Sequence, residues 1–447
     1  MSNTLPCKSI VGAEFFKPIA LFLDCSRFRR NCPALPDDLW LTSGIRRCLG
    51  LFQSGRDFLQ DLAERHDIEI LPTTFFESLK SKRRLALLSD LLAKSQVHMR
   101  REMPDPFAAF QCLDDFDLYA GDGHFVAAAA HDKAAPRKIP AKKSKTKKSK
   151  TTTPGRTAAF TATKYATGHL YTLDLRSHAM THLTVSDQVE RKKEHDMRAL
   201  KRQTIETLRQ GAGKGRKVLY IWDRAGIDFR QWHEWKQNSV YFLSREKENM
   251  TLQILGVYPF DETNPVNQGV ISDELVGTSM GVSVRRVTYQ DPETLAIYAY
   301  LTNLPVSVPP GIVALLYKSR WDVEKVFDEF KNKLGETKSW GSSANAKTCQ
   351  ARLLCLTHNL MTLMEEKIFR ETGIHNQAEI KRKAKTLANR DEQSKSKGGD
   401  GLTVLQKSIQ RLTQRTVKFI RWLKNHLDST LSWAHALARL DKIYARS

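Results

Sequence analysis

"YKSRWDVEKVFDEFK", residues 317–331, is the stretch on which the reading of this chain turns. It has the length and residue choice of a helix, in which each residue advances about 100°. With Tyr317 at zero, Arg320, Glu324 and Lys331 fall at about 300°, 340° and 320°, a single narrow line. Val323, Val326, Phe327, Phe330 and Leu334 occupy about 180° to 280°, a stripe expected to face the core. Asp322, Lys325 and Glu329 take the remaining arc and are expected to face water. An Arg320–Glu324 ion pair, four residues apart, accounts for two members of the line. It gives no reason for Tyr317 or Lys331.

All four have a use in phosphodiester chemistry. A carboxylate at the edge of a basic line can hold a cation while the bases and the phenol hold phosphate oxygens. Mg²⁺ takes hard oxygen ligands, so one or two further carboxylates are expected. Asp122, in "YAGDGHF", and Asp223, in "LYIWDRAG", stand near the ends of two expected strands. Each alone also reads as a turn or capping aspartate.

Composition points the same way. The chain has 447 residues, with 71 Lys and Arg against 49 Asp and Glu, a net charge of +22. Such an excess calls for a polyanionic partner, nucleic acid first. The length allows two or three domains with a substantial core. No apolar run reaches the length of a membrane span, and no secretory signal with a small-residue cleavage site is visible. Seven cysteines, an odd number without a CxxC pair, argue against a disulfide framework and a thiolate zinc site. The expectation is a reduced, intracellular protein. "QGAGKGRK" (210–217) is not a phosphate loop, because that motif needs Gly at 208 and Ser or Thr at 215, where Leu208 and Gly215 stand. The histidines show no HExxH spacing, and His169, His178 and His182 read as ordinary strand and loop residues.

Outward from the opening stretch, the pattern divides. Residues 1–40, with four prolines, read as irregular. Residues 42–101 read as two basic amphipathic helices, the second opened by a Thr74–Glu77 capping box. This region is either a DNA contact or a solvated cap on the core. "FDLYAGDGHFVAAA" (116–129) reads as a strand running into a turn, and "KIPAKKSKTKKSKTTTPGRT" (138–157) as a flexible basic loop. Strands are expected in "KYATGHLYTLDLRS", "MTHLTVS", "KVLYIWDRAG" and "VYFLSRE", with a long charged helix over about 185–210. Residues 251–302 hold three more strand patterns without a long helix, a β-rich insertion. The chain then turns helical, over about 345–371 and about 402–445, with a stripe of Leu402, Leu405, Ile409 and Leu412.

The spacing of Tyr317, Arg320, Glu324 and Lys331 matches the Y-(2)-R-(3)-E-(6)-K signature of bacterial insertion-sequence transposases of family four, within the DDE superfamily. "LTNLP", "WDRAG" and the Asp-Gly pair at Asp122 also resemble that family, in detail over residues 115–335. The resemblance implies an α/β, RNase H-like catalytic core carrying a β-strand insertion and flanked by N- and C-terminal helical regions. In outline, 1–105 is a helical DNA-binding region and 106–250 the first part of the core, with a basic disordered loop at 133–157. Residues 251–303 form the insertion, 304–345 complete the core, and 346–447 form a helical region that is a candidate for dimerisation.

The resemblance also implies a catalytic and metal-holding triad of Asp122, Asp223 and Glu324, loaded with two Mg²⁺ ions, for which Mn²⁺ substitutes. Tyr317, Arg320 and Lys331 would hold phosphates, and Arg224 would lie beside the second ligand. The partners would be double-stranded DNA, both terminal inverted repeats and target, and a second copy of the chain in a synaptic dimer. No membrane is involved, and a cytoplasmic, nucleoid-associated location follows. His124 stands where the family more often has Thr or Ser. The insertion holds no tryptophan to stack a flipped base, so Trp321 is the candidate for that role. Two other readings remain open: a transposase-derived DNA-binding protein that does not cut, and another RNase H-like nuclease.

Overall fold

The computed structural model describes residues 9–32, 34–50, 52, 54–129, 137–139, 164–186, 196–278, 281–291, 294–335, 338–396 and 417–445. Ten strands form one sheet: β1 (Phe116–Ala127), β2 (Arg137–Ile139), β3 (Lys164–Asp174), β4 (Met180–Ser186), β5 (Lys217–Ile221), β6 (Val240–Arg245), β7 (Gln253–Val257), β8 (Val270–Gly277), β9 (Ser283–Gln290) and β10 (Ile297–Thr302). Their order is β2-β3-β1-β5-β6-β10-β9-β8-β7, with β4 also paired to β3. β3 runs antiparallel to both β1 and β4, whereas β1, β5 and β6 are parallel. This mixed α/β sheet, flanked by helices, is the RNase H-like arrangement expected from the sequence.

The basic N-terminal third is more ordered than its prolines suggest. α1 (Ile10–Asp24) contains Pro18, and α2 (Asp37–Leu49) starts directly after Pro36. The expectation of an irregular segment fails because Val11, Phe15, Phe16, Ile19 and Leu23 bury one face of α1, which outweighs the hydrogen bond lost at Pro18. Each of the two expected helices that follow is split. Gly50, at φ 62°, ends α2, and Ser54 caps α3 (Gly55–His66). α4 (Pro72–Ser78) begins at its proline, so the Thr74–Glu77 box does not form, and Ser81 caps α5 (Lys82–Glu102) instead.

Three further expectations are corrected. The Asp122–Gly123 pair is no turn: β1 runs straight through it, because β3 pairs with every residue from Tyr119 to Ala127. Of the long helix over 185–210, residues 187–195 lie outside the described residues; 185 and 186 end β4, and the remainder is broken into α6 (Asp196–Lys201) and α7 (Ile205–Leu208). Of the basic tract over 138–157, residues 138 and 139 belong to β2, and the rest lies outside the described residues.

Residues 251–302 are β-rich as expected, with β8 as a strand beyond the three patterns read. They extend the main sheet, since β10 pairs with β6. "LTNLP" has a mechanical role at this join. The Thr302 hydroxyl donates to the Phe242 carbonyl (2.6 Å), and Asn303 accepts from the Phe242 amide (2.8 Å), continuing the ladder with side chains. Buried Arg285 then pairs with Asp273 (2.6 Å) and donates to the carbonyls of Pro305 and Val308, which aims the chain into the next helix.

That helix is α9 (Pro310–Ser319), followed by α10 (Trp321–Asn332). Beyond α8 (Phe229–Gln237), which covers β6, the remaining helices are α11 (Ala344–Thr372), α12 (Gln377–Ser396), α13 (Val417–His426) and α14 (Trp433–Ala445). Leu402, Leu405, Ile409 and Leu412 lie outside the described residues. α11 is buried along most of its length and packs on α2, α5 and β4. Its Asn359 closes the exposed side of β4: the amide oxygen accepts from the Met180 N–H (2.8 Å), and the amide nitrogen donates to Ser95 (3.0 Å). One apolar cluster joins α1 to α5, one face of the sheet, α9 to α11, α13 and α14. None of the described helices is long and apolar enough to cross a membrane.

Gly121 is the tightest point beside β5. A Cβ there would lie 2.1 Å from the Trp222 ring. Gly121→Ala is therefore expected to lower stability by about 1–3 kcal/mol, read as a drop in the urea midpoint. Gly256→Ala, in open space on β7, is expected to change it little.

Candidate active site

Two parallel strands bring the first two carboxylates together. β1 and β5 pair in register up to Ala120 opposite Ile221. Two residues further along each strand stand Asp122 and Asp223. Asp122 is still within β1, on the face of Ala120, and Asp223 lies just past the end of β5. Trp222, between them in sequence, points to the opposite face and fills the space left by Gly121. Asp223 caps a short turn, accepting from the Ala225 N–H (2.8 Å), and its carbonyl accepts from the Ser244 hydroxyl (2.8 Å). Asp122 accepts from the Gly123 N–H (2.8 Å).

The third carboxylate arrives on α10. The stretch read as one helix is two, meeting at Arg320, where bonds from Arg320 to Tyr317 and from Val323 to Arg320 tighten the chain. Val323, Val326, Phe327, Phe330 and Leu334 are buried as expected. Asp322 and Glu329, expected to face water, are buried too. For Glu329 the reason is α11, whose His358 bonds Glu329 through Nδ1 (2.8 Å) and reaches the His178 carbonyl through Nε2 (3.2 Å). Lys325 is half-buried and donates to Asp322 (2.7 Å). The face thought to be solvated instead anchors the helix.

Arg320 closes the site. One guanidinium nitrogen donates to Asp122 (2.8 Å) and another to Glu324 (3.0 Å). Its side chain is 5% exposed, against 39% for Glu324. Burial would lower the Arg320 pKa, but Asp122, Tyr317 and Glu324 raise it overall. Burial pushes the Asp122 carboxyl up, Arg320 opposes this, and the charges of Asp223 and Glu324 push it further up. Asp122 thus feels the charge of both other carboxylates. Burial also raises the Tyr317 phenol, with Arg320 and Arg245 opposing and Asp223 adding.

The family model described as "Transposase DDE domain" matches residues 122–360, more than half of the chain, from Asp122 through Asp223 and Glu324. The chain belongs to this family. It is a DDE transposase. No curated protein matches it.

Enzymes of this family work with divalent metal ions, and Asp122, Asp223 and Glu324 are the residues that would hold one, since carboxylates supply the hard oxygens such ions take. Among the described residues no three ligating side chains are gathered round a common point. The Arg320 guanidinium lies between Asp122 and Glu324. Lys331 is exposed two turns beyond Glu324, at the end of α10. Arg224 is exposed and paired with Glu248 (3.3 Å). Trp321 is 51% exposed, with the Arg320 guanidinium carbon 5.1 Å from its ring centroid.

The transposase site has neighbours that sequence reasoning missed. Ser244 and Arg245 sit at the end of β6, and no periodicity marks them. Both follow from knowing that β6 lies beside β5. His124, two residues after Asp122, stacks on Phe327 (4.8 Å, 23° between rings), so it packs β1 against α10. Behind it, His169 Nδ1 and His182 Nε2 lie 3.2 Å apart in the core. Burial, with the nearby charges of His124 and Lys347, holds His169 down to about 3. Burial, His169 and Arg352 hold His182 well below its ordinary value. Both rings are neutral in the folded protein and take up protons near pH 6.5 once unfolded. Stability is therefore complete above pH 6.5 and falls as the pH drops toward 3, each histidine contributing up to about 1.4 kcal/mol per pH unit. Urea midpoints at pH 7.5 and 5.5 measure the slope, and His169→Gln is expected to flatten it.

Proposed function

We propose that this transposase cuts the ends of an insertion sequence and joins each freed 3′-OH to target DNA, moving the element by cut-and-paste transposition. The observation that supports this most is that Asp122, brought near Asp223 by the pairing of β1 and β5, shares the Arg320 guanidinium with Glu324 of α10. In this reading the three hold two Mg²⁺ ions, which when bound activate the attacking oxygen and stabilise the leaving one. Mn²⁺ would serve in their place.

The protein's own groups do the rest. Burial around Asp122 lowers the local dielectric and strengthens every charge interaction at the reacting phosphate. Tyr317 and Arg320 present a phenol and a guanidinium on the same wall, suited to phosphate oxygens near the cleaved terminus. Lys331, two turns along α10, suits a phosphate further along the strand. Arg224 would exchange its exposed partner Glu248 for the backbone near the second carboxylate, and the Trp321 ring offers a stacking surface for a base. The spacing of Tyr317, Arg320, Glu324 and Lys331 supports placement with the insertion-sequence transposases of family four. The basic N-terminal helices would add DNA contacts, and the C-terminal helices would serve a synaptic dimer. Work on DNA would be done at the bacterial nucleoid.

The test is nicking and strand transfer with duplexes that carry the element's own ends. Asp122→Asn, Asp223→Asn and Glu324→Gln are each expected to reduce Mg²⁺-dependent nicking by about 10³-fold or more while leaving DNA binding within a few-fold. Unchanged nicking in any of the three removes that residue from the site. Binding without any cleavage by the native chain would favour a transposase-derived DNA-binding protein, and cleavage without joining another nuclease.

A further inference from the structure

Arg320 stands where a cation would have to act. Its guanidinium is shared by Asp122 (2.8 Å) and Glu324 (3.0 Å), two of the three proposed ligands, so each already has a positive partner. Arginine keeps its charge at any ordinary pH, so this partner cannot be neutralised. It must move or it must repel a divalent ion.

The surroundings give it a direction in which to move. Asp122 is at the inner end of the clasp, with a side chain 20% exposed, whereas Glu324 and Trp321 are at the open end. The rings of Tyr317 and Trp321, at 6.0 and 5.1 Å, flank the guanidinium. A planar fork that fits a carboxylate fits a phosphate equally well. A DNA phosphate at the open end can therefore receive the same two donors that Asp122 and Glu324 now share.

We propose that Arg320 is a resident counter-ion that keeps the carboxylate site closed to divalent cations until a DNA phosphate draws the guanidinium away. This rests on the triad assigned under the proposed function. Arg320 is here a positioning residue, and its exchange couples DNA binding to metal binding, each strengthening the other by the same factor. A transposase built this way loads its metal only on DNA, so the free protein carries little cutting capacity.

The experiment is a Mn²⁺ titration of the full-length protein, read by electron paramagnetic resonance of the free ion, so that no cleavage is needed. Without DNA, Arg320→Gln is expected to bind Mn²⁺ at least about tenfold tighter than the native chain, a difference of about 1.4 kcal/mol. Arg320→Lys, which keeps the charge, is expected to remain weak. Adding an element-end duplex is expected to tighten Mn²⁺ binding to the native protein about tenfold and to leave Arg320→Gln unchanged.

Equal or weaker Mn²⁺ binding by Arg320→Gln overturns the inference and makes Arg320 a brace for Asp122. Should that variant fail to fold, the native protein alone decides: Mn²⁺ affinity indifferent to DNA also overturns it. Asp122→Asn and Glu324→Gln test the underlying reading separately. If, with the element-end duplex present, both bind Mn²⁺ as the native chain does, the triad itself is wrong and the inference falls with it.

Discussion

The guanidinium of Arg320, held between Asp122 and Glu324, is the contact on which the rest of the architecture converges. A buried charge is costly unless it is paired and hydrogen-bonded, and here one pair spans 198 residues of chain. Every element that supports the pair must therefore be held in place. β1 is pinned by β3 on one side and β5 on the other. α10 is fastened from behind by His358 on Glu329 and from the front by Phe327 against His124.

The extended sheet serves the same end. After β6 the chain leaves for more than fifty residues and returns along β10 beside the strand it left. Thr302 and Asn303 lock that return, and Arg285 orients the approach to α9. Lys318, paired with Asp291 (2.5 Å), ties the last turn of α9 to the β9–β10 connection. Gly311 lets α9 sit directly on the backbone at Val266, where a Cβ would come within 1.7 Å of the carbonyl oxygen. The position of Glu324 thus depends on residues far from it in sequence, while its own helix supplies only the spacing.

Much of this was legible in the residues because local rules govern it. The apolar stripe of α10 was read correctly, since burying one face of an amphipathic helix is what its period encodes. β3, β4, β5 and β6, and α11 within a residue of its ends, were read from composition and alternation. The misreadings share one cause. Asp322 and Glu329 look like surface residues on a helical wheel, yet both are buried, Asp322 paired with Lys325 and Glu329 with His358 of α11. Asp122–Gly123 looks like a turn, yet its pairing with β3 holds it extended. Pro18 looks like a helix breaker, yet a buried face carries the helix past it. In each case a distant surface outweighed a local preference of about a kilocalorie or a few.

By itself the sequence determined the chemistry on offer: a carboxylate, a phenol and two bases at helical spacing, two further aspartates in strand-like stretches, and a strongly basic chain. Spacing along one helix or one strand follows from covalent geometry, so it can be read without a structure. Only the tertiary structure decided which of these groups meet. It set Asp122 beside Asp223 through the register of β1 and β5, brought α10 across them, and placed Arg320 between the carboxylates while pairing Arg224 with Glu248. Those choices rest on strand pairing and core packing between segments a hundred or more residues apart, which no local pattern encodes.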